Sequence, residues 1–158
     1  MKKILVIHYS QSGQLTEIVN NIAAPLINSK DIIVVHHQIK MEAPYAFPWK
    51  KKDFLNTFPE SFLQIPSKTK TVPEHILNQK FDLVILGYSV WYLSPSIPIN
   101  SFLKSTEAKK LLTNTPVVTV IGCRNMWIIA QEKVKELLKE CNAKLVGNIA
   151  LVDRHINH

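Results

Sequence analysis

Ile4-Leu5-Val6-Ile7-His8-Tyr9-Ser10-Gln11-Ser12-Gly13-Gln14-Leu15-Thr16 passes from four consecutive aliphatic residues, through a short polar turn with one glycine, into a helical pattern. An uninterrupted aliphatic run of this length reads as a parallel strand buried on both faces. Past the turn, Leu15, Ile18, Val19, Ile22, Ala23, Leu26 and Ile27 recur at helical spacing and make one apolar stripe. Pro25 lies inside that stripe, which predicts a kink or an early end in the last turn.

Working outward, the same alternation continues to the end of the chain. Strands are predicted from Ile4 to Tyr9, Ile32 to His36, Leu83 to Leu86, Val117 to Ile121 and Leu145 to Val152. A helix from about Trp127 to Cys141 puts Ala130, Val134, Leu137, Leu138 and Cys141 on one face and charged residues on the other. Shorter helices are expected after Pro98, over Ile99 to Lys104, and from Pro73 to Asn78. Strands alternating with helices define the α/β class, and right-handed crossovers favour a doubly wound, five-stranded parallel sheet ordered 2-1-3-4-5. In that architecture a final helix covers one sheet face, yet the sequence stops at His158 just after the fifth strand. The expectation is therefore that the natural chain continues past residue 158, or that a partner subunit, as in a homodimer, covers the gap.

The 158 residues and 46% hydrophobic content suit one domain with an ordinary core. The charge is +7, an excess that fits an anionic partner. Cys123 and Cys141 form no disulfide or zinc spacing, so a reducing, cytoplasmic setting is expected. The apolar run after Met1-Lys2-Lys3 is too short for a signal peptide, and no run is long enough to span a membrane. The segment from Met41 to Thr71 breaks the alternation. Pro44, Pro48, Pro59 and Pro66 with Tyr45, Phe47, Trp49, Phe54, Phe58 and Phe62 describe a structured excursion, and Lys50-Lys51-Lys52 reads as a solvated face.

In open α/β sheets, ligands bind outside the carboxyl ends of the strands, where strand order reverses. Three of the four glycines fall there: Gly13 after strand one, Gly87 ending strand three and Gly122 ending strand four, as close backbone approach to a ligand would require. In the first loop the hydroxyls of Ser10, Ser12 and Thr16 and the amides of Gln11 through Leu15, with Gly13 and Gln14 among them, can surround a phosphate at the positive end of the helix. The alternative is a helix cap without a ligand. Other doubly wound functions lack their residues. G-x-G-x-x-G and G-x-x-x-x-G-K-[ST] do not occur, and Asp31 and Asp82 stand at strand beginnings rather than at the ends where a phospho-accepting carboxylate belongs. Cys123 is followed at once by Arg124, not by the spacing of a cysteine phosphatase, and reads as a small buried hydrophobe. His8, His36 and His37 show no metal-ligand spacing, and no nucleic-acid motif accompanies the positive charge.

Tyr9-Ser10-Gln11-Ser12-Gly13-Gln14-Leu15-Thr16 resembles the phosphate loop of the flavodoxin superfamily, Ser/Thr-x-Ser/Thr-Gly-x-Thr after an apolar strand. Leu15 intervenes before Thr16, a departure similar to the longer loop of the NAD(P)H:quinone oxidoreductase type. Phe81-Asp82-Leu83-Val84-Ile85-Leu86-Gly87, then Tyr88 to Tyr92 and Ser94 to Pro98, resembles the third strand and flavin-ring loop of the same superfamily. Gly122-Cys123-Arg124-Asn125-Met126-Trp127 and Asp153-Arg154-His155-Ile156-Asn157 resemble a bacterial group of dialkylresorcinol-condensing-enzyme-associated flavodoxin-like proteins.

The resemblance implies a flavodoxin-like domain that binds FMN non-covalently, with the loop of Ser89, Val90, Trp91, Tyr92 and Leu93 along the flavin ring. Trp91 or Tyr92 then packs on the ring, or else serves as core aromatic packing. Gly122, Arg124 and Asn125 complete the pocket in this reading, or Arg124 and Asn125 cap the helix that follows. The implied activity is electron transfer from NAD(P)H through FMN to a quinone or similar aromatic acceptor, with ping-pong kinetics. No catalytic side chain is assigned, and the aromatic excursion is expected to wall the substrate pocket. An electron-carrying flavodoxin and a flavin-free scaffold domain are the rival readings. The carrier family resembles acidic proteins, which the +7 charge disfavours.

Overall fold

The computed structural model describes residues 1–45, 51–123 and 126–152. Phe47, Pro48, Trp49, Lys50, Arg124, Asn125 and the stretch Asp153 to Asn157, all singled out above, lie outside the described residues, as do the Lys51 and Phe54 side chains.

The described residues form six strands and six helices in the order β1 (Lys2–His8), α1 (Gln14–Ile27), β2 (Ile32–Gln38), α2 (Lys51–Phe62), α3 (Glu74–Leu77), β3 (Leu83–Trp91), β4 (Ser94–Pro95), α4 (Ile97–Leu103), α5 (Thr106–Leu112), β5 (Pro116–Cys123), α6 (Trp127–Glu140) and β6 (Lys144–Val152). The sheet order is β2-β1-β3-β5-β6, all parallel, so the five long strands take the 2-1-3-4-5 arrangement read from the sequence. The two-residue β4 adds a short antiparallel pairing to the end of β3.

Side chains alternate across each strand. Leu5 and Ile7 join Val84, Leu86, Tyr88, Val117 and Ile121 in a core closed by α4, α5 and α6. Ile4, Val6, Ile85 and Val120 face the opposite way, onto Leu15, Val19 and Ala23 of α1. Burial on both faces is what an unbroken aliphatic strand requires. Helix α1 runs through Pro25 to Ile27. Pro25 is exposed, so the carbonyl deprived of its helical donor faces water and the expected early end does not occur.

Gly87 and Gly122 do not end their strands. Gly87 pairs with both His8 and Val120, and β3 continues to Trp91. A Cβ built on Gly87 would lie 2.7 Å from Val19 Cγ1 and 3.2 Å from His8 Cβ. The missing side chain thus lets α1 lie close to the sheet, where the sequence reading invoked a ligand. Gly87→Ala is expected to cost about 1–3 kcal/mol through overpacking. Gly122→Ala, whose Cβ would make ordinary contacts of 3.5 and 3.6 Å with Leu15 and Ile18, should stay within about 0.5 kcal/mol of the parent. Urea midpoints of the two variants check this, and equal midpoints would sink it.

The sheet edges are less covered. On β6, Ile149 and Leu151 pair with Val120 and Gly122 and so face the α1 side, yet they remain 41% and 44% exposed. Among the described residues no helix covers that side of β6.

Candidate functional site

Strand order reverses at β1: α1 leads to β2 on one side, and the chain then crosses to β3 on the other. A cavity of about 480 Å³ opens at the carboxyl ends of β1, β3 and β5, within the roughly 300–1,000 Å³ of small-molecule sites. Its floor is the β1–α1 loop, through Ser10, Gln11, Ser12, Gln14 and Leu15. Ser89, Val90 and Trp91 supply one wall and Gly122 the base of another.

The loop is built from its own hydroxyls. Gly13 adopts φ +90, the left-handed conformation that starts α1, and its N–H donates to Ser10 Oγ at 2.9 Å. The Gln14 N–H points at Ser12 Oγ from 3.4 Å. Each serine oxygen thereby acts as an acceptor and keeps its own O–H to donate. The amides of Ser12 and Leu15 make no hydrogen bond among the described residues. Free amides, free hydroxyl protons and the start of a 14-residue helix converge on one open space, the arrangement that attracts an anion.

Trp91 stands edge-on to Tyr9, with ring centroids 6.2 Å apart, and to Tyr45, 5.4 Å apart. The Tyr9 hydroxyl donates to Gln11 Oε1, and Gln11 Nε2 reaches to 3.5 Å from the Tyr45 carbonyl. The start of the aromatic excursion is thus drawn against the β1–α1 loop. Burial raises the pKa of both tyrosines; Tyr45 adds to the rise at Tyr9, while at Tyr45 a hydrogen bond with Ser67 opposes it and Glu60 adds to it.

The hairpin that carries Trp91 is strained. Tyr92 and Leu93 form its turn at φ 51 and 61, while Val90 pairs with Pro95 and Trp91 with Ser94. Two successive left-handed residues make the turn that Asn-Gly normally supplies, at roughly 1–2 kcal/mol for each side chain forced there. Neighbours offset that cost. Ser61 of α2 donates to the Trp91 carbonyl at 2.9 Å, Phe58 meets Tyr92 edge-on at 4.8 Å, and Lys133 Nζ donates to the buried Ser94 hydroxyl at 2.8 Å. Lys133 also lies over the Phe62 ring, 5.1 Å from its centroid. Leu93→Asn keeps the turn and relieves one strained position, so a gain of about 0.5–1 kcal/mol is expected. For a chain of this length that is about 1–4 °C in Tm, and a lowered Tm would show that the Leu93 side chain is worth more than its strain.

Of the residues read from the sequence, Gly13, Thr16, Tyr92 and Leu93 do not line the cavity. Leu15 takes the place next to it, and one residue further round the helix Thr16 turns to the sheet, 3.0 Å from His8 Nε2. Arg124 and Asn125 are outside the described residues. Ile18, Cys123, Leu151 and Val152 line the cavity and were not anticipated there. Ile18 follows Leu15 on the same stripe and could have been inferred; Leu151 and Val152 arrive only because β6 pairs with Gly122 and Cys123. Cys123 is half-buried rather than buried, and burial pushes its thiol pKa up, so it is a protonated wall residue at neutral pH.

No protein-family model and no curated protein matches this chain. Solved structures do. A flavoprotein in complex with FMN from Lactobacillus acidophilus NCFM is similar with a TM-score of 0.72 at 17% identity, over 95% of this chain and 93% of that one. Oxidised Flavodoxin 1 from Bacillus cereus gives 0.59 at 15% identity, over 98% and 88%. An oxidoreductase from Corynebacterium diphtheriae gives 0.63 at 15% identity, over 95% and 81%. At these identities the likeness is one of fold, and the fold is flavodoxin-like.

Proposed function

We propose that the chain binds FMN in the cavity at the ends of β1, β3 and β5 and works as an oxidoreductase between NAD(P)H and a quinone or similar aromatic acceptor. The observation that carries this reading is the open space between the Ser10–Leu15 loop and Trp91. Ser10 and Ser12 would donate their hydroxyl protons to the phosphate, and the Ser12 and Leu15 amides would complete the grip. Trp91, braced by Tyr9 and Tyr45, would offer apolar surface to the ring, and the backbone of Ser89 to Trp91 would offer polar groups to its edge. Bound FMN supplies two-electron chemistry that no side chain here provides. The chain's own part is to hold the nucleotide, shield one side of the ring and leave the cavity mouth open for donor and acceptor in turn.

FMN titration of the purified protein tests the first step: saturable binding with a flavin absorbance spectrum is expected, and no binding overturns the reading in favour of a scaffold. Steady-state NADPH oxidation tests the second. Turnover with a quinone, giving parallel double-reciprocal lines, is expected. FMN binding without turnover with either NADH or NADPH would leave an electron carrier.

A further inference from the structure

We propose that His8 is a positioning residue for the anion loop, acting through Thr16 by donating Nε2–H to its hydroxyl oxygen. This rests on the reading that the loop holds the phosphate of FMN. The His8 side chain is 3% exposed at the end of β1, and its Nε2 lies 3.0 Å from Thr16 Oγ1. Its other nitrogen, Nδ1, is buried and has no partner among the described residues.

That asymmetry selects the tautomer. With the proton on Nδ1, a buried N–H would go unpaired. With it on Nε2, the N–H is satisfied and only a lone pair is left without a donor, the less costly arrangement. Burial, followed by His36 and His37 of β2, holds the imidazole pKa down at about 4, so the ring stays neutral at physiological pH. The flanking residues of α1 and β3, namely Leu15, Thr16, Val19 and Gly87, bring no charge.

The consequence concerns the anchoring of the loop. The Gly13–Ser10 and Gln14–Ser12 contacts tie the loop to itself. His8–Thr16 ties the first turn of α1 to the sheet, and so fixes where the loop's amides and hydroxyls point relative to the ring wall on β3. Thr16 does not line the cavity, so its effect on an anion must pass through this link.

Ring 15N NMR of the flavin-free protein reads the tautomer directly, and Nε2–H is expected. FMN and riboflavin affinities are then compared for the parent, His8→Leu, His8→Gln and Thr16→Val. His8→Leu and Thr16→Val should each weaken FMN about tenfold and leave riboflavin, which has no phosphate, within twofold. His8→Gln, which keeps a donor, should recover most of the loss. An Nδ1–H tautomer, unchanged FMN affinity, or equal losses for FMN and riboflavin would each overturn the proposal. A parent protein that binds no FMN would instead sink the functional reading, while the NMR result would still decide whether the His8–Thr16 link exists. Should His8→Leu fail to fold, Thr16→Val carries the same comparison.

Discussion

The double variant Ser10→Ala/Ser12→Ala is expected to weaken FMN binding by at least a hundredfold while the protein stays folded. A hydrogen bond to a charged group is worth roughly 1.5–3 kcal/mol, and about 1.4 kcal/mol is tenfold in affinity. Two such bonds lost together give about two to four decades, reduced if the neighbouring hydroxyls support one another. Both hydroxyls also accept from loop amides, but these amides are exposed and can turn to water, so the flavin-free protein should lose little stability. Calorimetric titration with FMN and with riboflavin separates the effects. The loss should appear for FMN alone. Unaltered FMN affinity would mean that the phosphate sits elsewhere.

Acidification should destabilise the flavin-free protein well above the range where ordinary carboxylates titrate. His8 has a pKa of 6.5 when unfolded and about 4 in the folded protein. Between those values the unfolded chain binds the proton and the folded chain does not, so stability is full above pH 6.5 and declines as pH falls towards 4. A shift of this size corresponds to roughly 3 kcal/mol. His37 is lowered as well, by burial first, and adds to the same trend. Urea unfolding at pH 7, 6, 5 and 4.5 measures the slope, and His8→Gln should flatten most of it. A parent curve that is level across this window would show that the imidazole is hydrated in the folded state.

Much of the architecture could be read because its signals are local. The Ile4–Ile7 run and the Leu15–Leu26 stripe are periodic patterns that burial enforces, and they became β1 and α1. Helix α5 escaped notice because seven residues hold barely two turns, though Ser105 caps it by accepting from the Ala108 amide. Helix α2 was hidden by its prolines and aromatics: Pro59 reads as a breaker, while Phe58 and Phe62 are one turn apart and stack at 5.7 Å. Gly87 suggests a strand end and a ligand's approach when read locally, whereas the side chain it makes room for, Val19, lies far away in the sequence.

The site divides in the same way. That Ser10, Gln11, Ser12, Gln14 and Leu15 border a cavity could be read from the loop alone, because hydroxyls and a glycine before an amphipathic helix serve either an anion or a helix cap. The position of Thr16 could not, since it depends on the rotation that one inserted residue imposes and on a histidine facing that side of the sheet. The turn at Tyr92-Leu93 gave no warning either. Nothing in Tyr-Leu announces a left-handed pair, which persists because α2 and α6 grip the hairpin from outside.

The side of β6 that no described helix covers has a practical consequence for handling the protein. Ile149 and Leu151 offer apolar contacts to a second molecule, and a formal charge of +7 opposes such an approach by repulsion. Salt at about 0.1 M confines that repulsion to roughly 10 Å, so concentrated stocks should cloud on adding sodium chloride and clear on dilution into low-salt buffer.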